Sequence, residues 1–166
     1  MDLELGGGEN PVFRPNFDKR QLNTVDRHWD ANQELLEMFP DESIDRIRMC
    51  HFLEHIRHLR ARELLKDIYR VLKAGGTLEV IVPDLTEACK KYLNEGEARR
   101  TMWGIYGGQE EESYRLHLDE ATHYWGYNAE TLGKEFQIAG FSKIGILPER
   151  QGSDGENKEL RMLATK

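Results

Sequence analysis

The stretch from residue 43 to residue 84 constrains this chain most, because it reads as strand, amphipathic helix and strand in direct succession. The first strand is expected over residues 44–50. The helix expected over residues 59–73 sets Ala61, Leu64, Leu65, Ile68 and Leu72 on one stripe, the pattern of a helix lying on a sheet. Gly75 follows as a left-handed stop. Thr77-Leu78-Glu79-Val80-Ile81-Val82, rich in β-branched residues and closed by Pro83, reads as a central strand. A strand, helix and strand unit of this kind builds a parallel sheet covered by helices, so a layered α/β fold is expected. Asp84 and Glu87 carry the signature of a capping box for a further helix over residues 85–93.

The remaining segments fit one such domain. With 166 residues the chain buries an adequate core without disulfide or metal staples. Near its start Leu3-Glu4-Leu5 runs straight into Gly6-Gly7-Gly8, a strand ending in a glycine turn where a ligand can approach the backbone closely. Residues 96–127 keep no sustained period and hold Trp103, Tyr106, Tyr114, Tyr124, Trp125 and Tyr127. That segment reads as a partly helical insertion or lid, with its aromatics filling core. Asn128 caps a helix over residues 129–139, and Gly140 stops it. Strands are expected at residues 141–147 and 160–164, joined by a polar turn over residues 151–159. No repeat or linker divides residues 1–166, so one domain is expected.

Composition narrows the function classes. Cys50 and Cys89 match no zinc or redox spacing, so free thiols, a cytoplasmic setting and no metal site are expected. Nothing reads as a signal peptide, and no apolar run approaches the roughly 18 residues of a membrane span. A formal net charge of −7 disfavours nucleic acid and favours a small-molecule partner.

An ordered set of motifs goes further. It comprises Leu5-Gly6-Gly7-Gly8-Glu9-Asn10-Pro11, Asn16-Phe17-Asp18, Asp30-Ala31, Phe39-Pro40-Asp41-Glu42-Ser43-Ile44-Asp45, His51-Phe52-Leu53-Glu54-His55-Ile56 and Arg70-Val71-Leu72-Lys73-Ala74-Gly75-Gly76-Thr77-Leu78. Val82-Pro83-Asp84-Leu85, Gly107-Gly108-Gln109, His123-Tyr124-Trp125-Gly126-Tyr127 and the run from Thr131-Leu132 to Ala139-Gly140-Phe141 complete it. In this order and spacing, over nearly the whole chain, the motifs resemble the class I S-adenosylmethionine-dependent methyltransferases, especially small type 11-like members that begin almost at the glycine motif. The resemblance implies a Rossmann-like three-layer sandwich around a mostly parallel seven-stranded sheet with an antiparallel last strand. It also implies S-adenosylmethionine as cofactor.

The same resemblance assigns residues. Leu5, Gly6, Gly7 and Gly8 form the cofactor cradle, with the backbone of Gly6 and Gly8 against the methionine portion. Asp18 receives the ribose hydroxyls, and Asp30, with the Ala31 backbone, receives the adenine amino group. Asp26 competes with Asp30, because residues 25–29 define their strand poorly. Cys50 and His51 line the methyl-donor pocket. One departure stands out: Asp18 follows Gly8 by only ten positions, where a helical crossover places such a residue about 20 positions on. The first helix is therefore expected to be shortened or missing and the cradle closed by a loop. No sequence precedes Met1 for the helix that larger relatives place there. One sheet face is then less covered, and exposed apolar surface there motivates the expectation of a homodimer.

Methyl transfer is an in-line displacement at a sulfonium carbon, so alignment of donor and acceptor in a dry site does much of the work. A hydroxyl acceptor also needs a base, and histidine suits neutral pH. Among His51, His55, His117 and His123, His123 beside Tyr124 and Trp125 is the first choice, and His55 the second. Arg57, Arg60 and Arg62 read as a solvated face, as does Glu110-Glu111-Glu112. The expected activity is methyl transfer to a small-molecule or glycan-like acceptor. A module that binds S-adenosylmethionine without turnover and a nicotinamide-dependent oxidoreductase are the alternatives.

Overall fold

Strands β1 (Asp2–Leu5), β2 (Asn16–Asp18), β3 (Arg27–His28), β4 (Ile44–Cys50), β5 (Leu72–Pro83), β6 (Lys143–Ile146) and β7 (Glu159–Thr165) form one sheet. Its order is β3-β2-β1-β4-β5-β7-β6. The first five strands pair in parallel, and β7 runs antiparallel to both β5 and β6. This computed structural model describes residues 1–96, 98–108, 121–148 and 158–166. The helices are α1 (His58–Val71), α2 (Leu85–Glu95), α3 (Ala98–Tyr106) and α4 (Ala129–Ala139).

Alternation along the strands divides the sheet into two unlike faces. Leu3 and Leu5 of β1, Ile47 and Met49 of β4, and Leu78, Val80 and Val82 of β5 join one buried cluster. Ala61, Leu64, Leu65 and Ile68 of α1 and Leu132, Phe136 and Ala139 of α4 complete it. The predicted stripe on α1 is therefore its buried face.

The other face carries charge. Register sets Asp2 opposite Arg46, Glu4 opposite Arg48 and Arg48 opposite Glu79. Arg46 pairs with Asp2, Arg48 lies 2.5 Å from Glu4 and 3.8 Å from Glu79, and Arg161 on β7 reaches Glu79 at 2.5 Å. Glu4 is fully buried; burial pushes its carboxyl above the ordinary range against the pull of Arg48. Between β1 and β4 the described residues 6–43 contain no helix at all, so the reduction expected for the first helix extends to three successive connections. The apolar surface that motivated the homodimer expectation is replaced on these strands by ion-paired side chains.

Three local expectations need correction. Helix α1 ends at Val71, Leu72 opens β5, and Gly75, although left-handed at φ 78°, sits inside the β5 run rather than at the helix stop. The β4–β5 register shifts between Ile44 and Arg46, which accommodates that turn. Asp84 accepts from the backbone N–H of Thr86 and Glu87, but Glu87 pairs with Lys90 and Lys158, so only half of the expected capping box forms. Of the aromatics assigned to core, Tyr127 alone is buried among those described; Trp103, Tyr106, Tyr124 and Trp125 are exposed. Asn128 forms a full box with Thr131, and Gly140 ends α4 at φ 115°, as expected. Among the described residues, no helix is long and apolar enough to cross a membrane.

Candidate functional site

The carboxyl ends of β1, β2, β3 and β4 open onto one cleft, the place where parallel α/β sheets bind ligands. Gly6, Asp18, Trp29, Asp30, Ala31, His51 and His55 line it. Gly6 leaves β1 at φ 71°, and its N–H donates to the Phe17 carbonyl at 2.7 Å. A Cβ there would collide with the Phe52 ring, so the close approach itself demands glycine. The turn is then tied by side chains instead of a helix: Gly7 N–H donates to Asn16 Oδ1 at 3.0 Å, Gly8 N–H to Asp18 Oδ2 at 3.1 Å, and Thr24 Oγ1 to the Gly8 carbonyl at 2.6 Å.

Asp18 ends β2 with its carboxylate buried. Arg20 grips both oxygens, Nε to Oδ1 at 3.0 Å and a terminal nitrogen to Oδ2 at 2.7 Å. Burial alone would push this carboxyl up, but the hydrogen bonds and charge of Arg20 outweigh it and hold it below the usual range. Asp30 lies beyond β3 and accepts from Asn32 N–H and Gln33 Nε2, each at 2.9 Å. Asp26 instead accepts from Asn16 N–H and Arg14, both at 2.7 Å, so the structure brings Asp30 and not Asp26 to the cleft. Leu5 is core, Gly7 and Gly8 shape the turn behind the cleft, and Cys50, in no disulfide, closes β4 half-buried.

His51 follows β4 in the left-handed region at φ 49°, a strained setting for a residue with a Cβ. Its Nε2 lies 2.6 Å from Glu159 Oε1 and its Nδ1 3.4 Å from Glu54 Oε1. Glu54, then burial acting in the opposite sense, then Glu159 set its pKa, which is raised to about 9. At neutral pH His51 is an imidazolium held between two carboxylates, not a free base.

The 3-10 turn Leu53–His55 then meets a segment almost seventy positions away. The N–H of Tyr124 donates to the Glu54 carbonyl at 2.8 Å, and His55 Nδ1 lies 2.9 Å from the Thr122 carbonyl. This stitching sets the His55 and His123 rings edge to face at 4.9 Å. His123 Nδ1 lies 3.1 Å from the Gly104 carbonyl, and burial lowers its pKa. Because a carbonyl can only accept, each Nδ1 carries a proton, and in the neutral ring the lone pair lies on Nε2. Glu54, beneath them, is buried, and neither carboxylate oxygen has a hydrogen-bond partner among the described residues.

The comparisons with known proteins agree with this architecture. The family model described as a methyltransferase domain matches residues 3–145. The chain belongs to the class I methyltransferases. A SAM-dependent methyltransferase from Archaeoglobus fulgidus superposes with a TM-score of 0.64 at 16% identity, covering 99% of this chain and 85% of that one. One from Methanosarcina mazei gives 0.62 at 16% identity, covering 99% and 91%. Phosphoethanolamine N-methyltransferase 2 of Haemonchus contortus, in complex with S-adenosyl-L-methionine, gives 0.60 at 15% identity, covering 99% of this chain and 48% of that one. No curated protein matches the chain.

For this methyltransferase, sequence reasoning brought together most of the cleft but missed several of its groups. Arg20 was not anticipated, although an arginine two residues after a buried aspartate is a recognisable clamp. Glu54 and Glu159 were missed because nothing local shows that a turn glutamate and a late strand glutamate converge on one histidine. Arg57, Arg60 and Arg62 are more engaged than a solvated face: Arg57 lies over Tyr124, Arg60 donates to the Ala31 carbonyl and Arg62 forks onto Glu135. His117, Tyr114, Gln109 and Glu110-Glu111-Glu112 lie outside the described residues.

Proposed function

We propose that the cleft binds S-adenosylmethionine and that the enzyme transfers its methyl group to a small-molecule or glycan-like acceptor. The observation that carries this reading is the convergence of Gly6, Asp18, Asp30, Ala31 and His51 on a single cleft from four separate strand ends. In it, Gly6, Gly7 and Gly8, with Leu5 beneath them, cradle the methionine portion. Asp18 takes the ribose hydroxyls, exchanging contacts now made by Arg20, and Asp30 with the Ala31 backbone takes the adenine. Cys50 and His51 close the methyl end of the cleft, and His55 and His123 activate the acceptor. The acceptor lone pair bonds to the methyl carbon as the sulfur–carbon bond breaks, and the electron pair of that bond returns to sulfur as a neutral thioether.

Exposed Tyr124 and Trp125, beside His123, support an acceptor with an apolar ring face and polar edges, the pattern that amphipathic aromatics suit. The net charge supports a partner other than nucleic acid. That neither Cys50 nor Cys89 forms a disulfide supports a cytoplasmic setting.

Thermal melts with S-adenosylhomocysteine and with NAD test the cofactor. The first should raise the melting temperature and the second should not; the reverse result would overturn the reading in favour of an oxidoreductase. A screen of small-molecule and glycan acceptors with methyl-labelled cofactor tests turnover, and label transfer should fall at least about a hundredfold in His123→Ala if its activation of the acceptor is general-base-like.

A further inference from the structure

We infer that Glu54, His55 and His123 bind one divalent transition-metal ion, with zinc as the best match, at the acceptor end of the cleft. One donor atom from each of the three lies within 4.8 Å of the others. Modest side-chain movement brings such atoms to the roughly 2.0–2.2 Å bonds that zinc makes with imidazole nitrogen and carboxylate oxygen. Three independent features point to an ion.

The first is Glu54. Its side chain is 2% exposed, and neither carboxylate oxygen has a hydrogen-bond partner among the described residues. Its nearest cation among the described residues is the His51 imidazolium, whose Nδ1 forms a long ion pair with Oε1 at 3.4 Å. A buried carboxylate is costly unless a partner charge or a metal meets it, and here one imidazolium is shared between two carboxylates. His51 answers only part of that need, because its closer contact, at 2.6 Å, is to Glu159.

The second is the pair of histidines. Each has Nδ1 against a backbone carbonyl, Thr122 for His55 and Gly104 for His123. That second contact is the arrangement which fixes the tautomer of metal-ligating histidines and leaves Nε2 to coordinate. The third is rigidity. The N–H groups of Tyr124 and Trp125 both donate to the Glu54 carbonyl, and His123 N–H donates to Tyr106, so backbone bonds hold the donors before any ion arrives.

Two imidazoles and one carboxylate form a donor set that zinc uses with a further position open. Catalytic use of the ion rests on the proposed acceptor position, whereas its binding does not. With the ion bound, both Nε2 lone pairs would be engaged, and an acceptor oxygen in the open position would give up its proton more readily, to water rather than to histidine.

The test is isothermal titration of zinc chloride into the full chain after treatment with EDTA and dialysis. One zinc should bind per chain, and Glu54→Gln and His123→Ala should each weaken binding at least about tenfold. His28→Ala, on exposed β3, should leave it unchanged. Circular dichroism checks folding, and His123→Ala carries the test if Glu54→Gln does not fold. Absence of zinc binding, or binding that both variants preserve, would overturn the inference. S-adenosylhomocysteine titrated into the same samples separates the two readings. Its binding without zinc binding would refute the metal site and leave the methyltransferase cleft standing; zinc binding without it would do the opposite.

Discussion

At the scale of single residues, the cleft depends on close approach and on one charged clamp. Gly6 and Gly75 offer a controlled comparison, because their φ values of 71° and 78° are nearly equal. A Cβ at Gly75 meets nothing within 4 Å, whereas at Gly6 it strikes Phe52. Gly75→Ala should cost only the left-handed strain of about 1–2 kcal/mol. Gly6→Ala should cost visibly more, read as a larger fall in the urea midpoint and loss of S-adenosylhomocysteine binding; equal costs would show that Phe52 does not crowd the turn. Asp18 makes a second residue-scale case. Losing its charge while keeping its shape removes charged hydrogen bonds worth about 1.5–3 kcal/mol each. Asp18→Asn should therefore weaken S-adenosylhomocysteine binding by roughly ten- to a hundredfold, measured by calorimetry. Unchanged affinity would remove Asp18 from the ribose site.

At the scale of elements, the face opposite α1 and α4 shows how a sheet does without helices between β1 and β4. Glu4 and Arg48 are both nearly inaccessible and face each other in register across β1 and β4. Removing one partner of such a pair costs about 3–5 kcal/mol, because the other charge is left buried, while replacing both with apolar side chains is often neutral or better. Glu4→Gln should lower the urea midpoint sharply, and Glu4→Met with Arg48→Met should recover much of the loss. A single variant as stable as the parent would show that water reaches the pair. The ladder also explains what the sequence made legible and what it did not. The periodicity of Ala61, Leu64, Leu65 and Ile68, the β-branched run before Pro83 and the cap at Asn128 are local signals, and each element formed there, although the α1–β5 boundary fell at Val71 and Leu72 instead of near Gly75. The short step from Gly8 to Asp18 likewise predicted a loop-closed cradle. Glu4, Arg48, Glu79 and Arg161 become partners only through sheet register, which no local pattern states. The same applies to the site: Gly6, Asp18, Asp30 and His51 were readable in their motifs. Glu54 and Glu159 were not, because the contacts that give them meaning span the fold.

At the scale of the whole molecule, the carboxylates set the response to acid. Asp2, Asp18, Asp26, Asp45, Glu87, Glu130 and Glu135 all have folded pKa values below their ordinary ones, Asp45 as low as about 2 through the amino terminus and Lys73. Glu4 is shifted the other way by burial. As pH falls, the unfolded chain takes up protons at these seven positions before the folded chain does, so their contribution is present above the ordinary carboxylate range and is lost below it. Glu4 opposes the trend, since its protonated form is favoured in the fold, but among the described residues it is one group against seven. Below about pH 5, where His51 is protonated in folded and unfolded chains alike, the urea midpoint should begin to fall and continue falling towards about pH 2, where Asp45 finally protonates. Most of these pairs lie at the surface, so each contributes little and salt weakens it. Repeating the series in about 1 M sodium chloride, where the screening length shrinks to about 3 Å, should flatten the acid limb. The buried Glu4–Arg48 pair is shielded from that screening, so the Glu4→Gln deficit at neutral pH should persist in salt. A midpoint that stays level from pH 6 to pH 3 would mean that these carboxylates keep their partners in the unfolded chain, and would overturn their assignment as the source of the acid response.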